Sequence, residues 1–252
     1  MPESSVCTSL RETLRSLSGD GHSRRRVMPF GVPDIDSQLT DGGLRLDALH
    51  EVAATTPSLR DDAAATLFVA GVAARAWGPI LWVVRRRDLF APALAQSGLL
   101  SKRVIHAEAD NDAGVLALME EGLRHPALGA VIGEVRRASP AATKRVQLAA
   151  SRGRTVALLL KRPARESGDP FAVSSLAVTR WRIGTVPMVG TARPRWELTL
   201  ARQTEGAPFT ATAIACDDTG RLTPVVTRRE HRRAVNEILR VMPSAEEQAE
   251  AA

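Results

Sequence analysis

Three apolar runs dominate the reading of this chain: ILWVV from Ile80 to Val84, AVIGEV from Ala130 to Val135, and TVALLL from Thr155 to Leu160. None alternates apolar with polar residues, so each must be covered on both faces, as the central strands of a parallel sheet are. Helical periodicity fills the spaces between and before them. The pattern gives a short strand at Leu49 to Ala53, a helix from Asp61 to Trp77, the strand at Ile80 to Val84 and a helix from Leu89 to Ser97. It continues with a strand at Val104 to Ala107, a helix at Asp112 to Arg124, a strand at Gly129 to Val135, a helix from Pro140 to Ser151 and a strand at Thr155 to Leu160. Such a βαβ series predicts an α/β fold with a twisted, mostly parallel sheet, helices on both faces and right-handed crossovers. At 252 residues the chain is long enough to bury that core without a disulfide framework. Its two cysteines, Cys7 and Cys216, lie far apart with no metal-ligand spacing and read as reduced thiols.

The pattern changes after Arg162. The stretch PARESGDP, Pro163 to Pro170, is loop material, and LAVTRWRIG, RWELTLARQ and FTATAIA then read as β-branched strands, expected to be antiparallel at one edge of the sheet. Both ends stand apart from this core. At the N-terminus, Val6, Leu10, Leu14 and Leu17 form one stripe of an amphipathic helix, separated from the core by the linker SGDGHSRRR. At the C-terminus a basic helix, TRREHRRAVNEILR, carries Val235, Ile238 and Leu239 beside five arginines, Met242 continues its apolar stripe, and an acidic tail follows. The organisation expected is therefore an N-terminal helix and linker over residues 1–26, a core over 27–226 and a C-terminal helix and tail over 227–252. No run reaches the length of a membrane span and no cleavable leader is recognisable, so the expected location is the cytoplasm with no membrane partner.

Charge is unevenly placed. Between Ala130 and Glu205 there are 14 Lys and Arg against 5 Asp and Glu, a local excess larger than the net +6 of the whole chain. That excess suits a phosphate backbone or an acidic protein surface, and equally a solvated arginine-rich face.

The chemistry expected of such a sheet is missing from where it belongs. The turn after the first core strand and the start of the next helix form a natural phosphate site, because free N–H groups and the helix dipole converge there. A nucleotide triphosphatase places Gly-Lys-Ser/Thr at that point. Here the segment is EVAATTPSLRDDAAATLF, Glu51 to Phe68, with no glycine and no lysine. Asp61 and Asp62 instead put two negative charges at the helix start, which favours the helix and repels a triphosphate. The histidines, His22, His50, His106, His125 and His231, show no ligand spacing, and no serine or cysteine has a nucleophile's context.

The segment PFGVPDIDSQLTDGGLRLDALHEV, Pro29 to Val52, resembles the opening of the RecA recombinase core, where a similar turn, Gly-Gly-Leu and a strand ending in Glu lead into the phosphate loop. WVVRRRDLFAPALAQSGL, Trp82 to Leu99, resembles the segment that carries that fold's catalytic glutamate, and Arg86 stands in its place. GAVIGEV, Gly129 to Val135, occupies the strand that usually ends in a magnesium-linked aspartate, with Gly133 or Glu134 there instead. Ala207-Pro208-Phe209 is similar to the Ala-Pro-Phe of the last long strand. A RecA-like core whose nucleotide positions are all altered resembles the ImuA family, related to RecA and SulA. The resemblance implies a non-enzymatic member of a damage-induced mutasome without a cofactor. Its partners would be an ImuB-like polymerase-fold protein, an error-prone DnaE-type polymerase, RecA and single-stranded DNA. The partner-binding candidates are Val6, Leu10, Leu14 and Leu17 with Val235, Ile238, Leu239 and Met242. The DNA-binding candidates are Arg136, Arg137, Lys161, Arg162 and Arg165, in the turns after two core strands. A SulA-like cell-division inhibitor and a divergent RecA-like ATPase remain as alternatives.

Overall fold

In the strand Val156–Lys161 (β7), successive side chains enter two different cores: Val156, Leu158 and Leu160 join one apolar cluster, Ala157 and Leu159 the other. This is the double burial that an unbroken apolar run requires. The computed structural model describes residues 26–86, 88–162, 168–187 and 193–225. In chain order, β1 (Val27–Met28), α1 (Pro33–Asp36), β2 (Leu44–Arg45), β3 (Leu49–Ala54) and α2 (Leu59–Arg75) come first. Then follow β4 (Ile80–Val84), α3 (Ala91–Gln96), β5 (Val104–Glu108), α4 (Asp112–Leu123), β6 (Ala130–Val135), α5 (Pro140–Gly153) and β7. The last strands are β8 (Thr179–Val186), β9 (Arg195–Gln203), β10 (Phe209–Ile214) and β11 (Thr223–Pro224).

Nine strands form one sheet in the order β11-β10-β9-β8-β3-β7-β6-β4-β5. From β8 to β5 every pairing is parallel, and from β8 outward to β11 every pairing is antiparallel. The expected α/β class, mostly parallel with antiparallel strands at one edge, is the class observed. One detail differs. The first of the late strands, β8, is not an edge strand but sits inside the sheet, parallel to β3 and antiparallel to β9. A small separate sheet pairs β1 with β2.

Helix α2 packs on one sheet face, where Phe68 meets Phe30 and Trp181, while α4 and α5 cover the other with Val115, Met119, Leu123 and Val146. The helix starts follow the sequence. Ser58, Asn111 and Ser139 are the N-caps of the three long helices, each accepting a hydrogen bond from the backbone N–H three residues on, at 3.2, 2.9 and 3.2 Å. Where α2 ends, the Arg103 guanidinium donates to the carbonyls of Ala74, Ala76 and Gly78, groups that a helix end leaves without partners. Among the described residues no helix is long and apolar enough to cross a membrane. Cys216 is a buried free thiol, pushed up to about 12 by burial.

His50, on β3, is fully enclosed and uses both ring nitrogens. Nε2 donates to the Arg45 carbonyl at 2.8 Å, and Nδ1 accepts from the Thr179 hydroxyl at 2.7 Å, an arrangement that satisfies the neutral ring. Burial pushes its pKa down to about 4 from 6.5, against the smaller opposing pull of the Arg45 carbonyl. The unfolded ring therefore binds a proton more readily than the folded one. The neutral ring's contribution is complete above pH 6.5 and is withdrawn as pH falls toward 4. Urea unfolding is expected to give about 2 kcal/mol less stability at pH 5 than at pH 7.5 from this residue alone. His50→Gln should flatten that slope; an unchanged slope would refute the assignment. Asp61 and Asp169, both held below the usual carboxylate range, act in the same direction at lower pH.

Candidate functional site

The parallel strands β3 and β7 end, beside β8, at one cleft of about 510 Å³, lined among others by Thr55, Thr56, Asp62, Arg162, Asp169 and Arg182. It is the place where the fold would hold a phosphate, at the turn from β3 into α2. The turn is closed by its own carboxylate. Asp61 accepts from the Thr56 N–H at 3.2 Å and hydroxyl at 2.6 Å, and from the Thr185 N–H and hydroxyl at 2.8 Å each. Burial raises the Asp61 carboxyl, and these four bonds outweigh it and hold the group below the usual range. The Thr55 N–H is taken by the Ile183 carbonyl, and the Asp62 N–H by the Ser58 carbonyl. Donors that a phosphate loop would turn toward a ligand are thus consumed inside the protein.

A second cluster crosses the cleft floor. Trp82 Nε1 donates to Glu134 at 2.8 Å, and the other oxygen of Glu134 forms a close ion pair with Arg162 Nε. Arg162 also reaches Asp62 at 2.6 Å and the Thr66 hydroxyl at 3.0 Å. The guanidinium therefore joins β6 to α2, and Glu134 carries the link on to Trp82 of β4. Burial pushes the Glu134 carboxyl above its ordinary value, even though Arg162 and the Trp82 N–H both pull it down. The third cluster is deeper. Glu51, with no exposed surface, accepts from Arg180 Nε at 2.7 Å and lies 3.3 Å from Lys161 Nζ. Arg180 goes on to the carbonyls of Phe171 and Val173, at 3.1 and 2.6 Å, and its guanidinium lies 4.8 Å from the centre of the Phe171 ring. At the rim Arg182 pairs with Asp169 at 2.5 Å.

These positions correct two expectations. Lys161 is not a surface contact for DNA: it is 2% exposed and belongs to the Glu51 pair. Arg162 is not an open cation either, because Glu134, Asp62 and Thr66 occupy its three nitrogens. Arg136 and Arg137 are exposed after β6, with their backbone N–H groups fixed on Asp112 at 3.1 and 2.9 Å. Arg86 is exposed in the turn after β4. Arg165, the N-terminal stripe Val6, Leu10, Leu14 and Leu17, and the C-terminal stripe Val235, Ile238, Leu239 and Met242 lie outside the described residues. Glu51 and Arg180 escaped residue-by-residue reading as a pair; the one local signal was a carboxylate inside the apolar strand LHEVAA.

Chemically, the arrangement binds charge to charge within the protein. Its carboxylates Glu51, Asp61 and Glu134 are all engaged, and among the described residues no cluster of three or more His, Cys, Asp or Glu has metal-site geometry. His50 and Cys216 are both buried, and neither lines this cleft.

No family model matches the chain. It is 36% identical over 198 residues to Protein ImuA of Caulobacter vibrioides strain NA1000 / CB15N, an alignment covering 72% of this chain and 80% of that protein. The same figures hold for Protein ImuA of Caulobacter vibrioides strain ATCC 19089 / CIP 103742 / CB 15. Among solved structures, SulA from Pseudomonas aeruginosa aligns at 22% identity and a TM-score of 0.38, over 45% of this chain and 96% of that one.

Proposed function

The chain belongs to the ImuA family, and we propose from that premise that it is a non-catalytic, RecA-like adaptor of a damage-induced translesion-synthesis complex in the cytoplasm. Its partners in this reading are an ImuB-like polymerase-fold protein, the error-prone DnaE-type polymerase that acts with it, and RecA. The N-terminal stripe of Val6, Leu10, Leu14 and Leu17 is assigned to RecA or a second copy of the chain. The C-terminal stripe of Val235, Ile238, Leu239 and Met242, flanked by arginines, is assigned to an acidic groove on the polymerase-like partner. Both stand outside the 27–226 segment assigned to the core. Arg136 and Arg137 remain as contacts for single-stranded DNA.

The observation that carries the non-catalytic reading is the Asp61 carboxylate, which takes the hydrogen bonds of the turn after β3. A triphosphate entering there would have to displace it and would face Asp62 as well, with no lysine or glycine in the turn to replace what it loses. This argues against the divergent-ATPase alternative. Calorimetry of the full chain with ATP and magnesium is expected to give no micromolar binding and no turnover. Micromolar binding, or hydrolysis abolished by Arg162→Ala, would overturn the reading.

A further inference from the structure

On the sheet face opposite α2, helices α4 and α5 lie side by side and present cations to solvent. Their C-terminal ends meet closely: a Cβ on Gly153 would stand 2.0 Å from the Leu123 carbonyl oxygen, so only glycine fits there. Arg124, Arg145 and Arg152 line a shallow groove of about 380 Å³ between the helices, with Glu120 and Leu148, and Arg154 follows as the cap of α5. Lys144, Arg145, Arg152 and Arg154 are all exposed. Arg124 and Arg145 share Glu120 at 2.6 and 3.2 Å, and Arg124 also reaches Glu121, whereas Lys144, Arg152 and Arg154 have no carboxylate partner among the described residues. Arg154 has φ 54° and ψ 32°, the left-handed conformation that usually selects glycine at a helix end. An arginine is kept there at a backbone cost of about 1 kcal/mol.

We propose that this α4–α5 face is a docking surface for double-helical nucleic acid, bound through its phosphate backbone. The inference does not rest on the function proposed above. Fourteen residues of α5 extend about 21 Å, a span facing many duplex phosphates, since a duplex carries one charge per about 1.7 Å. The two helices expose only two large apolar side chains, Leu118 on α4 and Leu148 on α5, and carry no aromatic ring. A protein partner would need a desolvated anchor and a single strand would need stacking platforms, so charge density decides for the duplex.

The test uses the full chain, a short labelled DNA duplex, the single strand of the same length, and fluorescence anisotropy from about 50 to 200 mM salt. Lys144→Gln/Arg152→Gln/Arg154→Gly removes three exposed cations that hold no ion pair, and its folding is checked by urea unfolding. Wild type is expected to favour the duplex. The triple variant should bind duplex at least tenfold more weakly, with the salt slope reduced by about three. Unchanged affinity and slope in the triple variant, equal or stronger binding of the single strand, or no duplex binding at the lowest salt would each overturn the proposal. Loss of single-strand binding in Arg136→Gln/Arg137→Gln, with duplex binding unaffected by the triple variant, would overturn it while sparing the assignment of those two arginines.

Discussion

Replacing Glu51 by alanine is expected to remove about 3–5 kcal/mol of stability, a large part of the 5–15 kcal/mol typical of a domain. The reason is the imbalance it leaves. Strand β3 lies between β7 and β8, and each neighbour turns one cation inward to the same carboxylate: Lys161 from β7 and Arg180 from β8. Without Glu51, Arg180 still donates to the Phe171 and Val173 carbonyls, but Lys161 keeps a buried ammonium with no counter-charge among the described residues. Removing one member of a buried pair costs more than removing both, because the remaining charge has lost its water as well as its partner. Glu51→Ala/Lys161→Met should therefore recover most of the loss in urea unfolding. A single variant that loses less than about 1 kcal/mol, or a double variant no better than the single, would show that this cluster does not hold the sheet.

The same pair marks where the sequence stops being legible. Strand Ile80–Val84 can be read to the residue because an apolar run bounded by turn residues carries its own limits, and Arg195–Gln203 because its apolar–polar alternation starts after Pro194. Helices α4 and α5 start where Asp112 and Pro140 follow capping residues. Lys161 looks like the exposed end of TVALLL, since the first charge after an apolar run usually is; yet its register opposite Ala53 keeps it inside the sheet beside Glu51, more than a hundred positions away. Arg162 is likewise claimed by Asp62 and Glu134, from two other elements. The local charge excess counted along the chain therefore overstates the basic surface. Lys161, Arg162, Arg180 and Arg182 are all matched by carboxylates, and what remains outward lies largely on α5 and after β6. Missing glycine and lysine in the turn after β3 were legible as an absence. That Asp61 would bond Thr185, a residue 124 positions on, was not, because only the pairing of β8 beside β3 brings the two together.

Arg162→Ala is expected to cost about 3 kcal/mol at pH 7.5 and distinctly less at pH 5, and the difference between the two values is the informative quantity. In the folded protein Glu134 is 5% exposed, and burial already raises its carboxyl above the ordinary 4.5 despite the guanidinium beside it. Taking Arg162 away leaves the Trp82 N–H as its hydrogen bond and withdraws the positive charge, so the carboxyl rises further. A group whose folded pKa lies above its unfolded value destabilises only where the unfolded chain has lost its proton and the folded one resists doing so. The penalty is absent below pH 4.5, grows above it, and is complete once pH passes the folded value. The acid sensitivity expected from His50 is common to wild type and variant and cancels in the comparison. Glu134→Gln placed in the Arg162→Ala background should erase the pH-dependent part and leave a residual loss from Asp62 and Thr66, whose bonds to the guanidinium are also gone. Equal losses at both pH values would mean that Arg162 acts through packing alone and that its charge is not what neutralises the floor of the cleft.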